Sequence, residues 1–196
     1  AASTPGMTGA DLANLVNEGA LMAARRNHAK VMQGDLTDAL EKVVLGTERR
    51  IMMSQEEKER TAYHESGHAV LGMLQPGADP VRKISIIPRG RALGVTFQSP
   101  DADKYSYSEE YLRGRIIGML GGRAAEDVVY GAVSTGAEND MVQATNLARN
   151  MVARCGMSPE IGPVTILDDR LVDSFGRPMV AEETLKLIPD HPDTLI

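Results

Sequence analysis

The sequence predicts a mainly α chain in two parts. A small helical subdomain occupies 1–48, and an α-rich domain with a short β-hairpin or small sheet occupies 49–196. Three observations carry this. Apolar residues recur at helical spacing through most of the chain. Capping residues open the helices, and Gly or Pro closes them. One stretch, "VRKISIIPRGRALGVTF", instead breaks into short β-branched runs.

Taken in order, Thr8 is the N-cap of a first helix, with Asp11 three residues later. Leu12, Leu15, Val16, Gly19, Ala20 and Ala23 make its apolar stripe. Arg25 and Arg26 fall in its last turn, where positive charge complements the helix dipole. A second helix starts at Gly34-Asp35, turns Leu36, Ala39, Leu40, Val43 and Val44 one way, and ends near Gly46. "GTERRIMMSQEE" reads as a linker, basic and then Met-rich. Ser54 and Glu57 then form a capping box for a third helix, which stops at "QPG" because Pro76 cannot continue it. "VRKISIIP" and "ALGVTF" are expected to be two strands about a tight "PRGR" loop. "SEEYLRGRIIGMLGGRAAEDVVYG" reads as two helices broken at Gly121-Gly122, with Gly114 and Gly118 permitting close backbone approach. "STGAENDMVQATNLARNMVARCGM" gives one more helix. Met141, Ala144, Ala148, Met151, Val152 and Cys155 share its apolar face, and Gly156 stops it. The closing "AEETLKLIPDHPDTLI" reads as a charged helix fragment followed by Pro-rich coil.

Composition narrows the function classes. Of 196 residues, 42% are hydrophobic and 24% charged, which is ordinary for a globular chain. A formal net charge of −6 argues against a nucleic-acid-binding surface, so no nucleic-acid partner is expected. The single cysteine, Cys155, excludes an internal disulfide and fits a reducing compartment. No apolar run approaches the roughly 20 residues that span a bilayer, and no signal-peptide pattern opens the chain. Its start at "AASTPG", without Met, reads as a soluble piece of something longer.

The third helix carries "TAYHESGHAVLGML", and within it His64, Glu65 and His68. Residues i and i+4 lie one turn apart on one helix face, so both imidazoles can address a common centre. That suits two legs of a tetrahedral zinc site. Glu65, turned about 100° from His64, is poorly placed as a ligand. Its carboxylate can instead reach a water in an open coordination position and accept a proton as that water attacks a peptide carbonyl. The competing reading is an accidental cluster on a partly exposed helix. Gly67 and Ala69 weigh against it, because they keep the helix surface narrow where another backbone can approach. His28 and His191 have no spaced partner and read as solvated.

A catalytic zinc needs a third protein ligand. Position 74, where some metallopeptidases carry a further histidine, is Leu74, and no acid lies near position 88. Asp79, Asp101, Asp103, Glu109, Glu110, Glu126, Asp127, Glu138 and Asp140 remain open. Asp140 stands out because it falls in the first turn of a helix, where the dipole favours a carboxylate, although that preference alone explains many such acids.

Five stretches, "TPGMTGADLANLVNEGALMAAR", "TAYHESGHAV", "IIPRGRALGVTF", "GGRAAEDVVYG" and "STGAENDMVQATNLARNMV", resemble in that order the FtsH family of membrane-anchored ATP-dependent zinc proteases. The resemblance implies that 1–48 is the helical lid of an AAA+ ATPase module and 49–196 a zinc metallopeptidase domain, cut short at its C-terminal end. It implies one Zn2+ per chain held by His64, His68 and Asp140, with Glu65 as the catalytic carboxylate. Glu126 would be an acid near the site that supports it without binding the metal, or equally a salt-bridge former. The resemblance further implies a hexameric homo-oligomer that degrades unfolded or misassembled proteins. ATP and Mg2+ would act only through an ATPase module whose "GxxxxGK[ST]" loop is not in this sequence. The catalytic part would lie on the cytoplasmic side of a bacterial membrane, or at an organellar inner membrane. The rival is a non-catalytic module that only holds a ring together, which the presence of both histidines and Glu65 disfavours. The strand "ALGVTF" could present an edge to extended substrate, or form a plain hairpin.

Overall fold

The computed structural model describes residues 4–90, 92–102 and 104–166. The expected C-terminal helix fragment and His191 therefore lie outside the described residues. The elements are α1 (Gly9–Arg25), α2 (Gln33–Leu45), α3 (Gln55–Met73), β1 (Val81–Ser85), β2 (Val95–Gln98), α4 (Glu109–Tyr130) and α5 (Glu138–Ala153). A 3-10 turn, Thr135–Ala137, leads into α5. No helix among the described residues is long and apolar enough to cross a membrane. The chain divides into two compact units: residues up to Glu65 with Pro80–Lys104, and Ser66–Asp79 with the described residues from Tyr105 onward.

In the first unit, α1 opens with the expected capping box. The Thr8 N–H donates to Asp11 Oδ2 at 2.8 Å, and the Asp11 N–H donates to Thr8 Oγ1 at 3.3 Å. The buried face of α1 is only Leu15, Gly19 and Ala23, while Leu12, Val16 and Ala20 stay exposed. The apolar stripe is thus wider than the strip that α2 covers. In α2, Ala39 is fully buried, Leu36, Leu40 and Val43 are half-buried, and Val44 is exposed.

Asp35 is buried at the start of α2 and gathers three donors. These are His28 Nδ1 at 2.9 Å, the Met32 N–H at 2.9 Å and Arg26 Nη1 at 2.9 Å. His28 is therefore tied into the α1–α2 turn, where the sequence suggested a merely solvated ring. The His28 hydrogen bond, followed by that of the Met32 N–H, holds the Asp35 carboxyl down to about 2.

β1 and β2 pair antiparallel, with Lys83 opposite Phe97, Ile84 opposite Thr96 and Ser85 opposite Val95, and a bulge between Val81 and Lys83. The loop between them is fastened by Arg89, which is almost wholly buried. Its guanidinium donates to Gly46 O at 3.0 Å, just past the end of α2, and to Glu48 Oε1 at 2.7 Å and Glu41 Oε2 at 3.3 Å. Lys83 also pairs with Glu41.

In the second unit, α4 runs unbroken from Glu109 to Tyr130, where the sequence suggested a break at Gly121-Gly122. The glycines serve packing. A Cβ at Gly121 would lie 2.4 Å from Gly67 O, and one at Gly67 would lie 2.2 Å from Gly121 O. Gly118 similarly faces the backbone of Gly72. Two helices meet here backbone to backbone, and the cost of Gly in a helix, about 1 kcal/mol each, is offset by that approach. Behind α4, Ile116 packs with Ala144, Ala148, Met151 and Val152 of α5. Cys155, expected on that buried face, is exposed because α5 ends at Ala153.

Candidate metal centre

α3 is started by the reciprocal Ser54–Glu57 capping pair, with the Ser54 N–H on Glu57 Oε2 at 2.9 Å and the Glu57 N–H on Ser54 Oγ at 3.2 Å. From that start the helix is unbroken to Met73, so His64 and His68 stand one turn apart. The His64 and His68 ring nitrogens and an Asp140 carboxylate oxygen all lie within 4.8 Å of one another. His68 Nε2 and Asp140 Oδ2 are 3.4 Å apart.

The approach of Asp140 follows from the packing of the second unit. Asp140 lies in the first turn of α5, and α5 is docked on α4 through the Ile116 cluster. The start of α5 is fixed by Glu126, which is buried in α4. Glu126 accepts the Ser134 N–H at 2.9 Å on one oxygen and the Ser134 hydroxyl at 3.1 Å on the other. The Ser134 hydroxyl in turn accepts the Gly136 N–H at 3.2 Å, capping the 3-10 turn before α5.

α4 also orients the second histidine. His68 Nδ1 lies 2.8 Å from Gly118 O. A carbonyl oxygen can only accept, so Nδ1 carries the hydrogen and Nε2 keeps its lone pair towards Asp140. The Gly122 N–H is also 3.3 Å from Nδ1, but a nitrogen already donating has no in-plane lone pair to receive it.

Most of the other carboxylates suggested by the sequence have different employment. Asp79 accepts the Tyr111 hydroxyl at 2.6 Å, and burial, then that bond, pushes Tyr111 up to about 12. Asp101 pairs with Arg82, and Glu109 with Arg113. Glu110, Asp127 and Glu138 are exposed, and Asp103 lies outside the described residues. Among the described residues, one group of three His, Cys, Asp or Glu side chains converges this closely, and it is His64, His68 and Asp140.

Glu65 is not in that group and is 6% exposed. The Thr96 hydroxyl lies 2.8 Å from its Oε2 and 2.8 Å from its main-chain oxygen. Thr96, Gly94 and Ser134 are the site residues that sequence reasoning missed. Ser134 was findable as an N-cap before "TGAEND". Thr96 is 31 positions from Glu65 and gives no local signal.

The donor set fits zinc. Bonds of about 2.0–2.1 Å in a tetrahedron set neighbouring ligand atoms about 3.3–3.5 Å apart, and the His68–Asp140 separation falls there. Two imidazoles, one carboxylate and a buried glutamate on an α-rich scaffold are the features of a His-Glu-x-x-His zinc metallopeptidase.

Comparison with known proteins agrees. Residues 51–191 match peptidase family M41, and residues 1–38 match the AAA+ lid domain. The chain is 67% identical over 167 residues to ATP-dependent zinc metalloprotease FtsH 3 of Conexibacter woesei, covering 85% of this chain and 22% of that protein. It is 58% identical over 184 residues to ATP-dependent zinc metalloprotease FtsH of Thermobaculum terrenum, covering 93% of this chain and 28% of that one. To the protein of that name in Buchnera aphidicola it is 47% identical over 204 residues, covering 100% of this chain and 33% of that one. The chain belongs to peptidase family M41 and is preceded within its own length by an AAA+ lid. It spans a third or less of the length of these relatives.

Proposed function

We propose that this chain is the proteolytic part of a membrane-anchored, ATP-dependent zinc endopeptidase. His64, His68 and Asp140 hold one Zn2+, and Glu65 is the general base and then the general acid. The observation that carries this reading is the convergence of three donor atoms within 4.8 Å, with the buried Glu65 next to His64 in the chain. Residues 1–48 act as the lid and 49–196 as the peptidase, a division supported by the family matches on either side of it. The whole protein assembles as a hexameric homo-oligomer that feeds unfolded or misassembled membrane and soluble proteins to this site. Its catalytic part faces the cytoplasm in a bacterium, or lies at an organellar inner membrane. ATP and Mg2+ act through the ATPase module of the longer protein.

When bound, zinc would supply Lewis-acid chemistry, polarising the peptide carbonyl and making water nucleophilic near neutral pH. Glu65 takes a proton from the attacking water and returns it to the leaving amine. Gly118 O fixes the His68 ring, and Glu126 fixes Asp140 by way of Ser134.

The test is zinc content per chain measured beside hydrolysis of an unfolded protein. Glu65→Gln is expected to keep its zinc and lose hydrolysis by about 10²–10⁴-fold or more, since the base goes while the ligands stay. Near-normal turnover in that variant would end the mechanism.

A further inference from the structure

Strand β2 supplies something the metal ligands do not account for. Gly94 lies just before β2 and Thr96 within it. Both meet Glu65. The Thr96 hydroxyl is 2.8 Å from Oε2 and, equally, 2.8 Å from the Glu65 main-chain oxygen. The single hydroxyl hydrogen is shared between two acceptors of the same residue or given to one of them, and in either case the hydroxyl lies against the Glu65 carboxylate. Gly94 provides the space. A Cβ there would lie 2.7 Å from Glu65 Oε1, 2.7 Å from its Cγ and 2.9 Å from Ser85 O. Its φ is not in the left-handed region, so the backbone does not demand glycine at this position. The demand comes from the Glu65 side chain on one side and the Ser85 carbonyl oxygen on the other.

We propose that Thr96 and Gly94 form a positioning cradle for Glu65, Thr96 as the hydrogen-bond anchor on Oε2 and Gly94 as the gap that admits Oε1. This inference rests on the reading of Glu65 as the base. A carboxyl group that is 6% exposed needs hydrogen-bond partners if it is to remain in one orientation. A catalytic carboxylate also gains rate from being held where the reaction needs it, and loses about a hundredfold when displaced by an ångström. Thr96 sits opposite Ile84 in the β1–β2 register, so the anchor is on a paired strand rather than a free loop.

Thr96→Val removes the hydroxyl while keeping shape and β-propensity. In the full-length protein, with a chemically unfolded protein as substrate, Thr96→Val is expected to keep one zinc per chain and an unchanged KM. Its kcat should fall about 10–100-fold. Thr96→Ser, which restores the hydroxyl, should recover most of that loss. Gly94→Ala should also lose kcat and keep zinc, because the added methyl presses on the Glu65 carboxylate and on Ser85 O and touches none of the three ligands. Parental kcat in Thr96→Val would overturn the cradle. So would equal losses in the Val and Ser variants, which would assign the effect to packing, or a raised KM at constant kcat, which would assign the strand to substrate. If Thr96→Val does not fold, the Ser and Gly94→Ala variants decide alone: the cradle stands if Ser is near parental and Gly94→Ala loses kcat, and falls otherwise. Glu65→Gln measured in parallel separates the two levels. A dead Glu65→Gln beside a fully active Thr96→Val sinks only the cradle, whereas an active Glu65→Gln sinks the base itself.

Discussion

Where α1 meets α2, the tightest glycine is Gly19, and a Cβ added there would touch only the flexible end of Leu36 at 2.7 Å. Where α3 meets α4, a Cβ at Gly67 would meet the backbone oxygen of Gly121 at 2.2 Å. The first pair carries polar links, through Arg26 and His28 with Asp35 and through Lys42 with Glu18, beside the buried seam of Leu15, Gly19, Ala23 and Ala39. The second is fastened by missing side chains. Charged side chains can swing and re-pair, and exposed pairs each contribute about 0–1 kcal/mol. Backbone against backbone cannot swing. The rigid contact is found where His68 must be aimed, and the adjustable one where α1 and α2 join.

The sharpest way to break this contrast is Gly67→Ala. The methyl can be seated only by moving one helix away from the other, and overpacking against a flexible neighbour already costs about 1–3 kcal/mol. Against a backbone oxygen the cost should exceed that range. It should also separate Gly118 O from His68 Nδ1, so zinc and activity disappear together. Gly19→Ala should leave both nearly unchanged, since Leu36 can rotate. Comparable zinc loss in the two variants would show that the contrast is false.

Glu126 sharpens the comparison, being a buried charge within the glycine-built unit. It does not touch the ligand group as a member, but it sets where α5 begins. Asp140→Asn should lose most bound zinc, because the anionic ligand becomes a neutral amide. Glu126→Gln should retain the metal and lose activity about 10–100-fold, as is usual for groups that orient a ligand. Zinc remaining after dialysis against a weak chelator reads out both. If Glu126→Gln emptied and Asp140→Asn stayed full, the two roles would have to be exchanged.

The sequence made legible what is local. Caps at Thr8 and Ser54, the single-helix spacing of His64 and His68, and the stop at "QPG" all depend on neighbours within a few residues. The converging donor set has one distant member, Asp140; its first-turn position made it a candidate among several, and the family resemblance singled it out. What stayed hidden depends on partners far along the chain. Gly121-Gly122 looked like a break because glycine's cost is visible in sequence and its compensation against Gly67 is not. His28 looked solvated because Asp35 belongs to the next helix. Thr96 gave no sign at all, for its partner is 31 residues away.

The smallest effect, and the one confined to the charged pair, is a pH dependence. Asp35 is held at about 2 in the folded chain, chiefly by His28 and the Met32 N–H, against an unfolded value of about 3.9. A depressed carboxylate contributes stability that is present above the unfolded value and is lost as pH falls towards the folded one. The α1–α2 pair should therefore loosen between about pH 4 and pH 2, seen as faster amide hydrogen exchange across residues 9–45. The Gly67–Gly121 contact contains no titrating group, so amides at the centre of α4 should show no such step from this source. Asp35→Asn should flatten the α1–α2 response while lowering protection at neutral pH. If the variant kept the parental slope, the charge at Asp35 would not be what fastens these two helices, and the α1–α2 contact would have to rest on Leu15, Gly19, Ala23 and Ala39 alone.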